Sequence, residues 1–139
     1  MTAHAGKNFP RPTPETRPFW EGCRNGELLL QRCGSCGAHQ FYPRMMCCKC
    51  NSVAVEWVRA SGHGRIRSYT VVRRAPSRAY AAEAPYIVAL IELAEGPTMM
   101  SNVIDCAPEA AVIGLAVEVV FDKWSEEISV PKFRPLQST

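Results

Sequence analysis

Four of the seven cysteines in this 139-residue sequence form two closely spaced pairs. Cys33 and Cys36 make the first pair, Cys47 and Cys50 make the second, and ten residues separate the two. Thiolates with this spacing form a tight knuckle in which backbone amides hydrogen-bond the sulfurs, and two knuckles supply the four ligands of a tetrahedral zinc ion. The spacing therefore predicts one structural zinc site, closed by four thiolates and without an open position for catalysis; an iron site or a pair of redox disulfides is the alternative.

The other three cysteines lie outside this predicted ligand set. Cys48 is two residues from Cys50, which is too short a spacing for a knuckle, and Cys23 and Cys106 are distant in the sequence. All three are predicted to be small, buried apolar side chains. A nucleophilic cysteine for acyl transfer is the alternative, but no flanking base supports it for any of them.

The composition bounds the class of protein. A chain with 47% hydrophobic and 21% charged residues is an ordinary globular chain, and its length suits one functional unit. It has no apolar run long enough to cross a bilayer and no secretory signal at its start, so we expect a cytoplasmic protein without a membrane partner. The net charge of +3 is less basic than that of a dedicated nucleic-acid binder. Motifs for phosphate loops, zinc proteases and nucleophile elbows are absent from the sequence, which therefore predicts no catalytic residues.

Turn and helix signals divide the chain into three parts. Residues 1–14 carry three prolines and little hydrophobic periodicity, which predicts a flexible arm. Residues 15–52 combine a short helix, capped by Thr16 and stopped by Asn25-Gly26, with two short strands in the layout of a zinc ribbon. Residues 53–139 are predicted to form a barrel and a C-terminal tail.

The barrel is predicted from five apolar or β-branched runs that turn residues separate. Short strands in this arrangement are typical of a five-stranded Greek-key barrel of the OB type, so the expected fold class is mainly β. The continuously apolar stretch 87–91 predicts a strand covered by the barrel core on one side and by another element or subunit on the other. The five runs are residues 53–59, 64–74, 85–93, 98–104 and 115–122.

Alternation along residues 64–74 predicts a strand with one basic and aromatic face. Such a face suits the phosphates of coenzyme A, and Arg65, Arg67 and Arg73 are the candidate contacts for an acyl-CoA thioester. It also suits single-stranded nucleic acid, and a solvated face with no ligand is the third interpretation. The nucleic-acid interpretation adds three residues, Tyr69, Arg74 and Arg78.

A series of short motifs extends over nearly the whole chain, from Phe19 to about Phe133. The motifs are Phe19-Trp20, Gly26-Glu27-Leu28, Cys33-x-x-Cys36-Gly37, Tyr42-Pro43-Arg44, Cys47-x-x-Cys50, Gly62-x-Gly64-x-Ile66-x-Ser68-Tyr69-Thr70-Val71-Val72, Ala84-Pro85-Tyr86-Ile87-Val88-Ala89-Leu90-Ile91-Glu92-Leu93, Gly96 and Gly114-x-x-Val117-x-Val119-x-Phe121. In this order they resemble the acyl-CoA-associated family that joins a rubredoxin-like zinc ribbon to an OB-fold. One departure is Cys48, where the family often has proline, and it leaves the second knuckle less rigid without removing a ligand.

The resemblance implies a role beside another enzyme. Members of this family typically stand beside thiolase-like enzymes, as in multi-component acetyltransferases, hydroxymethylglutaryl-CoA synthesis and aldolytic removal of steroid side chains. The thiolase-like or ketoacyl-synthase-like subunit carries the nucleophile there, while ribbon and barrel bridge subunits and help form a channel for acyl-CoA. The resemblance thus implies a non-catalytic accessory subunit, with zinc as its structural cofactor and that enzyme and acyl-CoA as its partners. The aromatic residues expected to anchor it are Phe19, Trp20, Phe41 and Tyr42; for Phe19 and Trp20, coverage of the neighbouring core is an equal alternative.

Overall fold

The computed structural model describes residues 4–136, which form one α-helix, a three-stranded sheet, a closed five-stranded barrel and two short 3-10 helices, Arg78–Glu83 and Pro108–Ala110. The predicted fold class, mainly β with a ribbon followed by a barrel, is confirmed. The first three residues of the predicted arm and residues 137–139 of the predicted tail lie outside the described residues. No helix in the described part of the chain is long and apolar enough to span a membrane.

Helix α1, Arg17–Arg24, begins and ends at the predicted signals. Thr16 occupies the N-cap position, and the chain turns away after Asn25 through Gly26, whose φ of 77° favours glycine. The Thr16 hydroxyl does not cap the helix; it accepts the backbone N–H of Thr13 at 2.8 Å and so fixes the chain that enters α1. The buried side of α1, which includes Phe19, packs into the hydrophobic core.

The ribbon sheet has strand β1, Leu29–Cys33, at its centre, between β2, His39–Gln40, and β3, Val55–Arg59. The sequence pattern predicted residues 53–59 as a barrel strand, but all five residues of β3 pair with β1 instead. The two cysteine knuckles meet at one point, so the chain that leaves the second knuckle starts beside Cys33, at the end of β1. Strand β3 is therefore the return path from the ribbon to the barrel.

The barrel is closed by antiparallel pairing between its first strand and its penultimate one. Its interior is filled by apolar side chains from every strand, and the same core includes Phe19 of α1 and Leu30 of β1. The ribbon and the barrel consequently share one core. The barrel strands are β4, His63–Val72; β5, Tyr86–Leu93; β6, Thr98–Val103; β7, Ala116–Lys123; and β8, Ser129–Pro135, in the order β4-β5-β6-β8-β7.

Strand β8 is the barrel strand that the sequence pattern missed, because Pro131 and Pro135 read as strand breakers. It pairs with β7 along its whole length and with β6 at a single bridge. The Phe133 carbonyl accepts the Ile104 N–H at 2.7 Å, so residues in step with Phe133 direct their backbone groups toward β6. Pro131 and Pro135 are two residues before and after Phe133, so their backbone groups also face β6. The N–H groups that prolines lack would therefore point away from β7, and the hydrogen bonds between β7 and β8 are unaffected.

A β-bulge at Arg67 changes the faces of β4. Ile66 pairs with Ile91, whereas Ser68 pairs with Leu90, so one residue is extra on β4. An extra residue reverses the alternation of side chains beyond it. The predicted alternation of residues 64–74 is consequently wrong beyond Ile66, and Tyr69 lies on the opposite face of the sheet from Arg65.

Candidate metal centre and aromatic cleft

The four predicted ligands converge at the tip of the ribbon. Every sulfur of Cys33, Cys36, Cys47 and Cys50 lies within 4.8 Å of the others. The Sγ atoms are 3.6 Å apart for both Cys33–Cys50 and Cys36–Cys47. Sulfurs about 2.3 Å from a zinc ion at tetrahedral angles would be about 3.8 Å apart, so this arrangement fits the ion without rearrangement of the chain.

Backbone amides stabilise negative charge on the sulfur of the first cysteine in each knuckle. The Cys33 sulfur accepts the N–H groups of Ser35 at 3.3 Å and Cys36 at 3.4 Å, and the hydrogen bond from Cys36 is the main reason that its pKa falls to about 6. The pKa of Cys47 is lowered in the same way by the N–H groups of Cys50 and Lys49. A lower pKa favours the thiolate at these two residues, and the thiolate is the form in which cysteine binds a metal.

Two buried glutamines hold the loop between the knuckles, and sequence reasoning missed both. The Gln31 amide donates to the Arg44 carbonyl and accepts the Arg44 N–H, each at 2.8 Å. Gln40 donates to Gln31 at 2.8 Å and accepts the Cys48 N–H at 2.9 Å. Both side chains point inward from strands β1 and β2. Their hydrogen bonds to the backbone of Arg44 and Cys48 therefore hold the second cysteine pair close to the first. For Gln31, its position directly after three leucines was the available signal in the sequence.

The three remaining cysteines differ from one another. Cys23 is buried as predicted, with 1% exposure, and burial raises its pKa to about 12. The prediction of burial is wrong for Cys48, which is exposed, and only partly right for Cys106, which is half-buried with a pKa raised by burial. Cys48 is exposed because its backbone, not its side chain, joins the glutamine network.

The four predicted aromatic anchors line one cleft of about 370 Å³ between the ribbon and the barrel. Phe19 packs edge-on against Trp20 with ring centroids 5.0 Å apart and lies 5.5 Å from Phe41, which in turn is 5.4 Å from Tyr42. Phe19 is buried and Tyr42 is 47% exposed, so the series of rings leads from the core to the surface. Strands β5, β6 and β8 form the opposite wall.

The outer face of β5 continues the apolar surface of this cleft. Ile87, Ala89 and Ile91 face the core, whereas Val88 is half-buried on the cleft wall and Leu90 is exposed. Leu90 pairs across the sheet with Met100, which is 67% exposed. The sequence predicted that both faces of residues 87–91 would be covered. Within the described chain, only the inner face is covered, by the barrel core.

The candidate coenzyme A residues are not gathered at one point. Arg65 donates to the Gly114 carbonyl at 3.3 Å, and Arg67, in the bulge, donates to the Thr98 hydroxyl at 3.3 Å. Arg73 directly follows the far end of β4. At about 3.3 Å per residue along a strand, it lies about 25 Å from Arg65. It lines a shallow depression with Arg74 and Arg78. The structure thus separates one arginine pair on the strand from one arginine group in the loop.

The fold and the cysteine cluster together define a zinc ribbon joined to an OB-fold barrel, and comparisons with known proteins specify the family. The model of the ChsH2 rubredoxin-like zinc ribbon domain matches residues 20–56, and that of the ChsH2 C-terminal OB-fold domain matches residues 57–122. A DUF35 domain-containing scaffold protein of Methanocaldococcus jannaschii is 39% identical over 101 residues, which are 72% of this chain and 71% of the relative. The chain belongs to this DUF35/ChsH2 family.

Two further comparisons extend the likeness to almost the whole chain. A probable enoyl-CoA hydratase alpha subunit of Thermomonospora curvata is 35% identical over 129 residues, or 90% of this chain, but this chain spans only 40% of that relative. A solved chain of the Ltp2-ChsH2(DUF35) aldolase superposes with a TM-score of 0.81 at 32% identity, covering 91% of this chain and 98% of that one. A DUF35 protein of unknown function from Sulfolobus solfataricus, with a TM-score of 0.62 at 16% identity over 88% of this chain and 85% of that one, shares the fold.

Replacing one ligand should separate metal binding from the other properties of the cysteines. We expect Cys36→Ser to lose most of its zinc and to unfold at a lower temperature, because a closed thiolate site contributes its binding energy to folding. Cys48→Ser is the matched control, since it removes a neighbouring exposed thiol that lies outside the cluster. Elemental analysis and thermal denaturation measure both quantities, and equal zinc contents in the two variants would contradict the assignment.

Proposed function

We propose that this protein is a non-catalytic accessory subunit that docks on a thiolase-like or ketoacyl-synthase-like enzyme and helps it bind acyl-CoA in the cytoplasm. The observation that carries this proposal is the likeness to the Ltp2-ChsH2(DUF35) aldolase chain, which this protein matches over 98% of that chain. That protein is named as a pairing of a DUF35 chain with a second component. Other relatives carry the names scaffold protein and hydratase alpha subunit, which also describe parts of assemblies.

A zinc ion held by the four cysteines has a structural role in this proposal. It would fix the ribbon tip and, through the loop after Gln40, the position of Phe41 and Tyr42. These rings would then present a rigid aromatic surface, and aromatic side chains on rigid elements contribute most to interface affinity. The cleft and the exposed Leu90 and Met100 together supply the apolar surface that the enzyme subunit would cover.

Tyr42 provides the sharpest test of docking, because its exposed ring can be removed without opening the core. We expect Tyr42→Ala to weaken binding to the partner by about 2 kcal/mol, or roughly thirtyfold. Ile113→Ala, which removes an exposed apolar side chain outside the cleft, should bind as the wild type does. The partner is obtained by affinity purification from the host and identified by mass spectrometry, and the affinities are then measured by calorimetry.

Two results would count against this account of docking. Recovery of the chain alone, with no thiolase-superfamily subunit in stoichiometric amount, would contradict the proposed partnership. Equal affinity of Tyr42→Ala and Ile113→Ala for an identified partner would leave the partnership standing but place the interface elsewhere.

Acyl-CoA contact is proposed for Arg65, Arg67 and Arg73. Because a charged hydrogen bond to phosphate is worth about 1.5–3 kcal/mol, Arg67→Ala should bind acetyl-CoA at least tenfold more weakly in the assembled complex. Arg59→Ala, at an exposed arginine of the ribbon sheet, is the matched control. Calorimetric titration decides the assignment, since unchanged affinity of Arg67→Ala would remove this residue from the proposed site.

Single-stranded nucleic-acid binding, the alternative from the sequence, loses part of its support at the bulge in β4. A stacking platform needs its aromatic ring and its cationic groups on one surface. Tyr69 and Arg65 lie on opposite faces, so the face on which that interpretation rested is divided.

A further inference from the structure

Lys7, in the N-terminal arm, is buried against the barrel and its connections, and its side chain is only 3% exposed. Burying an ammonium group is costly unless charged and polar partners replace its water. The Glu83 carboxylate forms an ion pair with it, and His4 Nδ1 lies 3.2 Å from its Nζ. The Nζ atom also stands over two rings, 5.5 Å from the centroid of Tyr80 and 5.2 Å from that of Trp124.

These groups form a pocket suited to a primary alkylammonium ion. Aromatic faces within about 6 Å attract a cation, and one carboxylate at the base balances its charge. A second carboxylate is committed elsewhere, because Asp122 accepts from Lys132 at 3.1 Å and from the Trp124 indole N–H at 3.0 Å. Lys132 is also 3.7 Å from Glu83, so the cluster holds two lysines against two carboxylates. Lys7 is the member that the arm supplies.

The arm is held to the barrel by side chains. Within the described chain, the backbone-to-backbone hydrogen bonds of residues 4–14 join them to one another or to the start of α1. The contacts with the barrel come from residues 4–9, which we call the strap: His4 stacks on Trp124, Phe9 meets the same ring edge-on, and the Asn8 N–H donates to the Tyr80 hydroxyl at 3.2 Å. A segment that lacks backbone pairing with the rest of the fold opens at a lower free energy than the core strands do.

The strap also closes a cavity next to the aromatic cleft. This cavity of about 240 Å³ is lined by the charged residues Lys7, Glu83 and Lys132 together with aromatic, aliphatic and amide side chains. It adjoins the cleft, because the same four residues line both: Tyr80, Tyr86, Asn102 and Val130. Departure of Lys7 would therefore leave one longer groove with a carboxylate and two aromatic walls at its far end.

We propose that Tyr80, Glu83 and Trp124 form a binding site for a primary alkylammonium group, which Lys7 occupies within the chain and which a free primary alkylammonium ion occupies when it displaces the strap. The geometry of the pocket and the side-chain attachment of the strap carry this inference. It is independent of the proposed enzyme partner and of acyl-CoA.

The test uses the full chain and n-propylammonium, which has the atoms that Lys7→Ala removes. We expect the Trp124 indole N–H signal of Lys7→Ala to shift saturably, with half-saturation at a concentration at least tenfold lower than in the wild type, where Lys7 competes. Lys123→Ala, which removes a nearby exposed lysine, should behave as the wild type. The uncharged 1-propanol should produce no saturable shift.

Several outcomes would overturn the proposal. These are an absence of saturation in folded Lys7→Ala, equal half-saturation in that variant and the wild type, and equal binding of 1-propanol. If Lys7→Ala fails to fold, the wild type decides: excess n-propylammonium should speed hydrogen exchange of the Asn8 amide at least tenfold while the barrel amides stay protected. Unchanged exchange of Asn8 would reject the site.

Discussion

The convergence of four sulfurs on one point is the constraint on which the N-terminal half of this structure depends. Cys33 ends strand β1, and the chain beyond Cys50 runs into β3, so joining these residues makes the two strands neighbours. The short β2 strand adds little pairing of its own, with two residue pairs to β1. A sheet this small has few backbone hydrogen bonds to stabilise it. A metal ion bound at its tip would supply the folding free energy that the limited hydrophobic core of a small module does not provide.

The ribbon in turn determines where the aromatic surface lies. Phe41 and Tyr42 sit in the loop that Gln31 and Gln40 hold, whereas Phe19 comes from α1 on the other side of β1. These elements pack into the same core as the barrel interior, so the cleft between them has a fixed geometry. A small displacement at the sulfur cluster would therefore move the aromatic side chains of the cleft, although none of the four cysteines lines it.

The sequence predicted best what is encoded by neighbouring residues. The cysteine pairs, the ends of α1 and the turns between strands are local signals, and the structure has the cluster and these elements where the patterns indicated. The errors concern partners distant in the chain. Strand β3 looked like any barrel strand until its pairing with β1 was known, and the prolines of β8 hid a strand whose unpaired positions face β6.

Two further features have no signature in a single sequence. The bulge at Arg67 depends on a one-residue mismatch with β5, which alternation along β4 alone does not reveal. The prolines and the absence of hydrophobic periodicity predicted an unpacked arm. In the structure the arm contacts the barrel through Lys7, a residue type that is seldom buried. Glu83, Tyr80 and Trp124, which contact Lys7, lie more than seventy residues away in the chain, so only the folded structure brings them together.

X-ray absorption at the zinc edge of the purified protein tests the central claim most directly. A closed four-thiolate centre predicts a first shell of four sulfur atoms at about 2.3 Å, with no nitrogen or oxygen ligand. A shell that requires nitrogen or oxygen atoms, or a preparation with no zinc to measure, would contradict the account.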